Sequence, residues 1–190
     1  MEQEENRKTR LQKLGGSDFE IVDGEPDIRG WNVKDASGKQ LGEVEELIFD
    51  YQSQKVRYLV VDLEENDYDL EDREVLVPIG IAELHEDDDD VILTGVTAEQ
   101  LQSLPGYDED RFDTEHETSV RNVFGGLGSA AVHNAERNDD EFYSHEHFNE
   151  GNLYKRRQKL IGNGEGSDGV KEITTSNGIT LRARNTEGRL

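Results

Sequence analysis

The chain has 190 residues, of which 21 are basic and 44 acidic, giving a net charge of −23. Only 32% are hydrophobic, against roughly 45–50% in an ordinary globular chain. That excludes a single core spanning the whole length, because too few apolar side chains exist to offset the ordering of every residue.

The charge argues against nucleic acid as a partner, since a polyanion is repelled rather than captured by counterion release. No cysteine is present, which excludes disulfides, thiolate metal sites and cysteine nucleophiles. Met1–Lys13 is charged throughout, without the apolar stretch of a signal peptide. No run approaches the ~18–20 apolar residues a spanning helix needs. The expected location is the cytoplasm, with no membrane span. Charge is uneven: +1 on residues 1–14 and +4 on 151–190, which leaves −28 on 15–150. An acidic body with a basic tail suggests tail–body or head-to-tail contacts. A solvated, disordered end is the simpler expectation.

Apolar residues concentrate between Phe19 and Leu104. Asp35-Ala36-Ser37-Gly38 has tight-turn chemistry and separates Trp31-Asn32-Val33 from Leu41 onward, so a hairpin is expected there. In Leu41–Phe49 the apolar positions 41, 44, 47 and 48 fit a helix as well as a strand, and Gly42 with the β-rich context favours strand. Val56-Arg57-Tyr58-Leu59-Val60-Val61 reads as a buried strand, apolar on both faces. Glu74–Ile79 is another, and Pro78 puts its end at a sheet edge or a bend. Val91-Ile92-Leu93 follows the tetrad Asp87–Asp90. Thr97–Leu104 is expected to be a short helix: Thr97 caps it, Gln100 completes a capping box and Pro105-Gly106 stops it. Beyond Tyr107 regular patterning fades. Gly125–Ala131 reads as a flexible joint, and 162–190 is Gly-, Ser- and Thr-rich. The expected division is a charged segment 1–14, a β domain 15–107, an acidic, aromatic-containing extension 108–150, and a basic, flexible tail 151–190.

The ordered series Pro26-Asp27-Ile28-Arg29-Gly30-Trp31-Asn32-Val33, Asp35–Val44, Leu47-Ile48-Phe49-Asp50, Val56–Asp62 and Val75–Gly80 resembles the PRC-barrel family. That small barrel is named for the cytoplasmic domain of the photosynthetic reaction-centre H subunit, and a related one forms half of a ribosome-maturation factor. The resemblance covers roughly residues 19–107. Phe142–Glu150 is also similar to the C-terminal extension of stand-alone bacterial versions, often grouped with general stress proteins. The implied fold is mainly β: a small PRC-type β-barrel with one short docked helix, then a largely irregular extension. The implied function is a binding and assembly module without catalytic residues or cofactor. An alternative the resemblance implies is an H-subunit-like accessory to a membrane electron-transport complex, although the chain's N-terminus is a short charged segment rather than a membrane helix.

Candidate sites are few. His145 and His147, one residue apart, could ligate a metal with Glu141, Glu146 or Glu150, as a metal- or ligand-binding regulator would. The plainer reading packs Phe142, Tyr143 and Phe148 on the barrel, since three aromatics in seven residues are costly to leave in water. The candidate interaction surface is Tyr58, Leu59, Val61, Phe142, Tyr143 and Phe148. Asp87–Asp90 and Asp62–Asp72 are oxygen-rich but lack the EF-hand glycine, so both read as solvated hairpin tips. No G-x-S-x-G, H-E-x-x-H or P-loop is present, and Gly162–Gly166 has no preceding strand. Lys155, Arg156, Arg157 and Lys159 form a basic cluster suited to anionic lipid or to the acidic body of a neighbouring copy. The expectation is a non-enzymatic, stress-associated module that binds a protein partner or itself.

Overall fold

The structure, a computed structural model, describes residues 10–125, 139–157 and 178–184. Lys159, the Gly162–Gly166 run and all but the first residue of the 125–131 joint lie outside the described residues. The described chain is mainly strands with a few short helices. No described helix is long and apolar enough to cross a membrane.

Seven strands form one mixed sheet: β1 (Leu11–Lys13), β3 (Asn32–Asp35), β4 (Gln40–Asp50), β5 (Lys55–Asp62), β6 (Glu74–Pro78), β7 (Ala82–Leu84) and β8 (Asp90–Leu93). The path runs β6-β5-β4-β3-β8-β7, with β1 added beside the end of β4. Only β3 and β8 pair in parallel. The ambiguous 41–49 segment is strand. β4 reaches from Gln40 to Asp50, bulged against β5 at Val44/Glu46 and Ile48/Phe49. Bulges bend a strand, so β4 can serve β3 at one end and β1 at the other. Gly42 allows the bend: a Cβ there would lie 2.1 Å from the Asp62 carbonyl oxygen.

The described strands form no closed ladder; β6 and β7 end the path. Those two ends are nevertheless consecutive in the chain, joined by the single 3-10 turn Ile79–Ile81. Five strand spacings laid flat would separate them by about 24 Å. Four Cα steps reach only about 14 Å. The sheet must therefore curl until its ends meet at that turn. Leu41, Val44, Leu47, Tyr58, Val60, Val75, Val77, Leu84 and Val91 are all fully buried.

The expected turn closes with the Gly38 N–H donating to the Asp35 carbonyl, 3.0 Å. The expected helix is α1 (Ala98–Ser103), with its capping box between Thr97 and Gln100. A second helix, α2 (Thr114–Phe124), went unread in the sequence. Its inward stripe is thin, with Val120 buried and Val123 and Phe124 only partly so, and Glu117 occupies a buried place on it. α3 (Asp139–Tyr143) and the 3-10 turns Glu146–Phe148 and Glu150–Asn152 complete the extension. A separate two-stranded ribbon pairs β2 (Phe19–Ile21) with β9 (Leu181–Ala183).

Candidate functional site

Strand β5 is apolar on both faces because both are covered. Tyr58, Leu59 and Val61 are fully buried. Tyr58 meets Phe148 edge-on at 5.3 Å and Phe112 at 6.2 Å between ring centroids. Phe142, Tyr143 and Phe148 are 6%, 7% and 3% exposed and touch one another. The six residues expected to meet a partner are therefore buried within the chain. The three aromatics of the extension pack on the β body, as the plainer reading had it, and as a surface open to a second molecule the six need correction. The physical reason is proximity: the extension is tethered to the strand it covers.

A polar seam runs through this contact. The Glu117 carboxylate, on α2, accepts the hydroxyls of Tyr58 at 2.9 Å and Tyr143 at 2.6 Å. One acid thus ties β5, α2 and α3 together. The Arg57 guanidinium lies 4.4 Å from the centre of the Tyr143 ring. Arg10, beside β1, grips the fully buried Asp50 through two hydrogen bonds of 3.0 and 2.7 Å and reaches Asp139 at 2.9 Å. Burial pushes the Asp50 carboxyl up. Hydrogen bonds from Arg10, Ser53 and the Gln52 N–H outweigh it and leave Asp50 below the usual carboxylate range.

His145 and His147 stack with ring centroids 4.3 Å apart. The His145 Nδ1 accepts the His147 backbone N–H at 3.3 Å, so His145 caps a turn. Burial pushes the His147 imidazole down, and the neighbouring His145 adds to that. Among the described residues, no group of three or more His, Cys, Asp or Glu side chains is placed to hold a metal ion.

The two arginines of the basic cluster are spent on the chain's own body. Arg156 pairs with Glu83 at 2.6 Å and donates to Thr94 at 3.1 Å. Arg157 donates to the His85 carbonyl at 2.8 Å and lies 5.5 Å from the Trp31 ring. Lys155 lines a cavity of about 270 Å³ with Gly80, Gln100 and His147. For the two arginines, the expected contact with lipid or a neighbouring copy gives way to contacts with the β7–β8 region. Asp87, Asp88 and Asp89 are exposed at the β7–β8 tip, whereas Asp90 is buried and pairs with Lys34 at 2.6 Å.

Glu150 is 8% exposed, at the start of β5 and beside Gly178. Burial raises its carboxyl to about 7, against the pull of Lys55, the Val56 N–H and Arg57. Gly178 leads into β9, which returns from the far end of the chain to β2. Sequence reading reached neither Glu117 nor the β2–β9 pairing. The available signal for Glu117 was its spacing from Val120 and Phe124, at i, i+3 and i+7. A three-residue strand gives no such signal.

Three segments outside the main strands, 10–14, 139–157 and 178–184, are thus held by strand addition, aromatic insertion and buried ion pairs. This arrangement is that of a mainly β domain that carries distant segments of its own chain. Residues 24–100 match the PRC-barrel domain family, so the resemblance read from the sequence is shown, from the loop before β3 into α1. No curated protein matches the chain.

Proposed function

We propose that the protein is a non-enzymatic interaction and assembly module: a PRC-barrel platform that holds polypeptide segments and joins copies of itself. The observation that carries this is the mode of attachment of 10–14, 139–157 and 178–184. Each lies on the β body through contacts a separate chain would also make: a ladder edge, an aromatic pocket, an arginine on a carboxylate. The PRC-barrel match over 24–100 supports the same reading. Two of the buried carboxylates, Asp50 and Glu117, are held by arginine or tyrosine as structural ties.

Because Tyr58 and Leu59 are buried, self-association uses other surfaces. Tyr51, 52% exposed beside Phe19, is available. Sedimentation velocity from low micromolar to near-millimolar protein tests the reading. A mass rising above 21.5 kDa is expected; a monomer at every concentration overturns self-association. The association with stress follows from the resemblance of 142–150. Chain abundance under osmotic, oxidative and starvation challenge tests it, and a level that none of them moves removes it.

A further inference from the structure

The 178–184 segment is seated on the β2 edge by a complete recognition set. Its ladder pairs Phe19 with Ala183, Glu20 with Arg182 and Ile21 with Leu181. The ladder is extended by Val22 N–H to the Thr180 carbonyl, 3.0 Å, and Arg184 N–H to the Asp18 carbonyl, 2.7 Å. Ile179 and Leu181 are 3% and 6% exposed. Arg182 reaches Glu20 and Asp23, each at 2.9 Å. The Thr180 N–H donates to the Glu25 carboxylate at 2.5 Å. Gly178 lies against the Glu150 side chain. The edge therefore reads an extended segment of apolar, any, apolar, arginine pattern, in one register and one direction.

Resting on the assembly reading above, we propose that the β2 edge is a strand-acceptor site for the Gly178–Arg184 segment of a second copy, two copies joining by reciprocal exchange. All the contacts just named lie within 18–25, Glu150 and 178–184, so each is remade between copies as it stands within one. Such an exchange is self-complementary and closes as a two-fold dimer. Twenty residues separate Arg157 from Gly178, enough to reach about 70 Å when extended. Charge selects this route. Bodies carrying −28 over residues 15–150 repel one another, whereas 178–184 holds Arg182 and Arg184 and no acid. The attachment is also exchangeable, because a two-stranded ladder of three residues is marginal by itself and the Arg182 pairs are half-exposed. The competitor is the chain's own segment, at an effective concentration in the millimolar range, so exchange rises with protein concentration.

A charge swap in the full chain tests this. Arg182→Glu sets acid against the acidic edge of its own chain. A second variant, Glu20→Arg with Asp23→Arg, sets arginine against its own Arg182. Each disfavours pairing with itself, and a mixture restores opposite charges only between chains. With one variant labelled, sedimentation velocity should show its mass doubling on addition of the other, with at least tenfold tighter association than for either alone. A mixture that stays monomeric overturns the exchange. If the wild-type chain still associates, the assembly reading stands and uses another surface. If the mixture pairs while wild type is monomeric, the acceptor site stands and native self-association falls. A second measurement guards against misfolded variants: Leu181→Asp empties the edge, and that chain should bind a labelled Gly178–Arg184 peptide that wild type binds at least tenfold more weakly. Equal binding by the two chains, or none by either, overturns the site.

Discussion

Strand β5 and strand β2 both hold a distant piece of the same chain, but by opposite means. On β5 the attachment is buried: Tyr58, Phe142, Tyr143 and Phe148 interlock, and Glu117 accepts two tyrosine hydroxyls out of water. On β2 the attachment is a short ladder with Arg182 pairs near the surface. Area removed from water dominates stability, while exposed ion pairs contribute about 0–1 kcal/mol each. The extension over β5 thus belongs to the fold. The segment on β2 buries only two apolar side chains, Ile179 and Leu181, so it is the more readily exchanged of the two.

Truncating the centre of the β5 contact gives the largest expected effect. Tyr58→Ala removes the ring between Phe112 and Phe148 and should destabilise the chain by about 3–5 kcal/mol in urea. Tyr58→Phe keeps the ring and takes one hydroxyl from Glu117, costing about 1–2 kcal/mol. Equal effects would mean that the hydrogen bond, not the packing, anchors the extension.

Glu150 sits where the two regions meet, and its titration sharpens the contrast. Unfolded, its carboxyl titrates near 4.5; folded, burial raises it to about 7. Between those values the folded chain holds more protons than the unfolded one, so its contribution to stability falls as pH rises from about 4.5 to 7 and is level above. Glu150→Gln should remove that slope and stabilise the chain at pH 8 by at most about 3 kcal/mol. Thermal unfolding of both proteins from pH 4.5 to 8 checks the sign. A wild-type-minus-variant difference that does not grow with pH contradicts it.

Gly80 offers a way to loosen the extension alone. A Cβ there would lie 2.5 Å from the Glu146 carbonyl oxygen and 2.7 Å from the Asn149 nitrogen. Gly80→Ala should cost about 1–3 kcal/mol through the displaced backbone. Amide exchange should quicken over 139–157 while β4 and β5 stay protected. Loss of protection in β4 and β5 as well would show that body and extension unfold as one unit.

What the sequence made legible follows the length of each element. β4, β5, β6 and β8 carry apolar runs of three or more residues, and α1 carries a capping box, so each was readable from local pattern. The mainly β class followed from them. The segments that close the site were not readable. β1, β2 and β9 are three residues each, and their partners lie far away along the chain. Helix α2 buries Glu117 where a pattern search wants an apolar residue, because two tyrosines from other elements satisfy it. No local pattern links Arg10 to Asp50, forty residues on; only the β1–β4 pairing places them together. Phe142, Tyr143 and Phe148 announced burial, and the tether to β5 decided that their cover is the chain itself.

The smallest expected effect belongs to the β2 edge. Arg182 is 45% exposed and pairs with Glu20 and Asp23 in open solvent. Arg182→Ala should therefore change global stability by no more than about 1 kcal/mol, and by less in high salt, where exposed pairs are screened within about 3 Å at 1 M. The backbone ladder and the buried Ile179 and Leu181 remain, so the segment is weakened rather than released. Amide exchange at Leu181–Ala183 should nevertheless quicken several-fold, with no change over β5. That split, local opening without global loss, is what separates an exchangeable edge segment from the cover over β5. A fall in global stability as large as that of Tyr58→Ala would erase the distinction between the two strands.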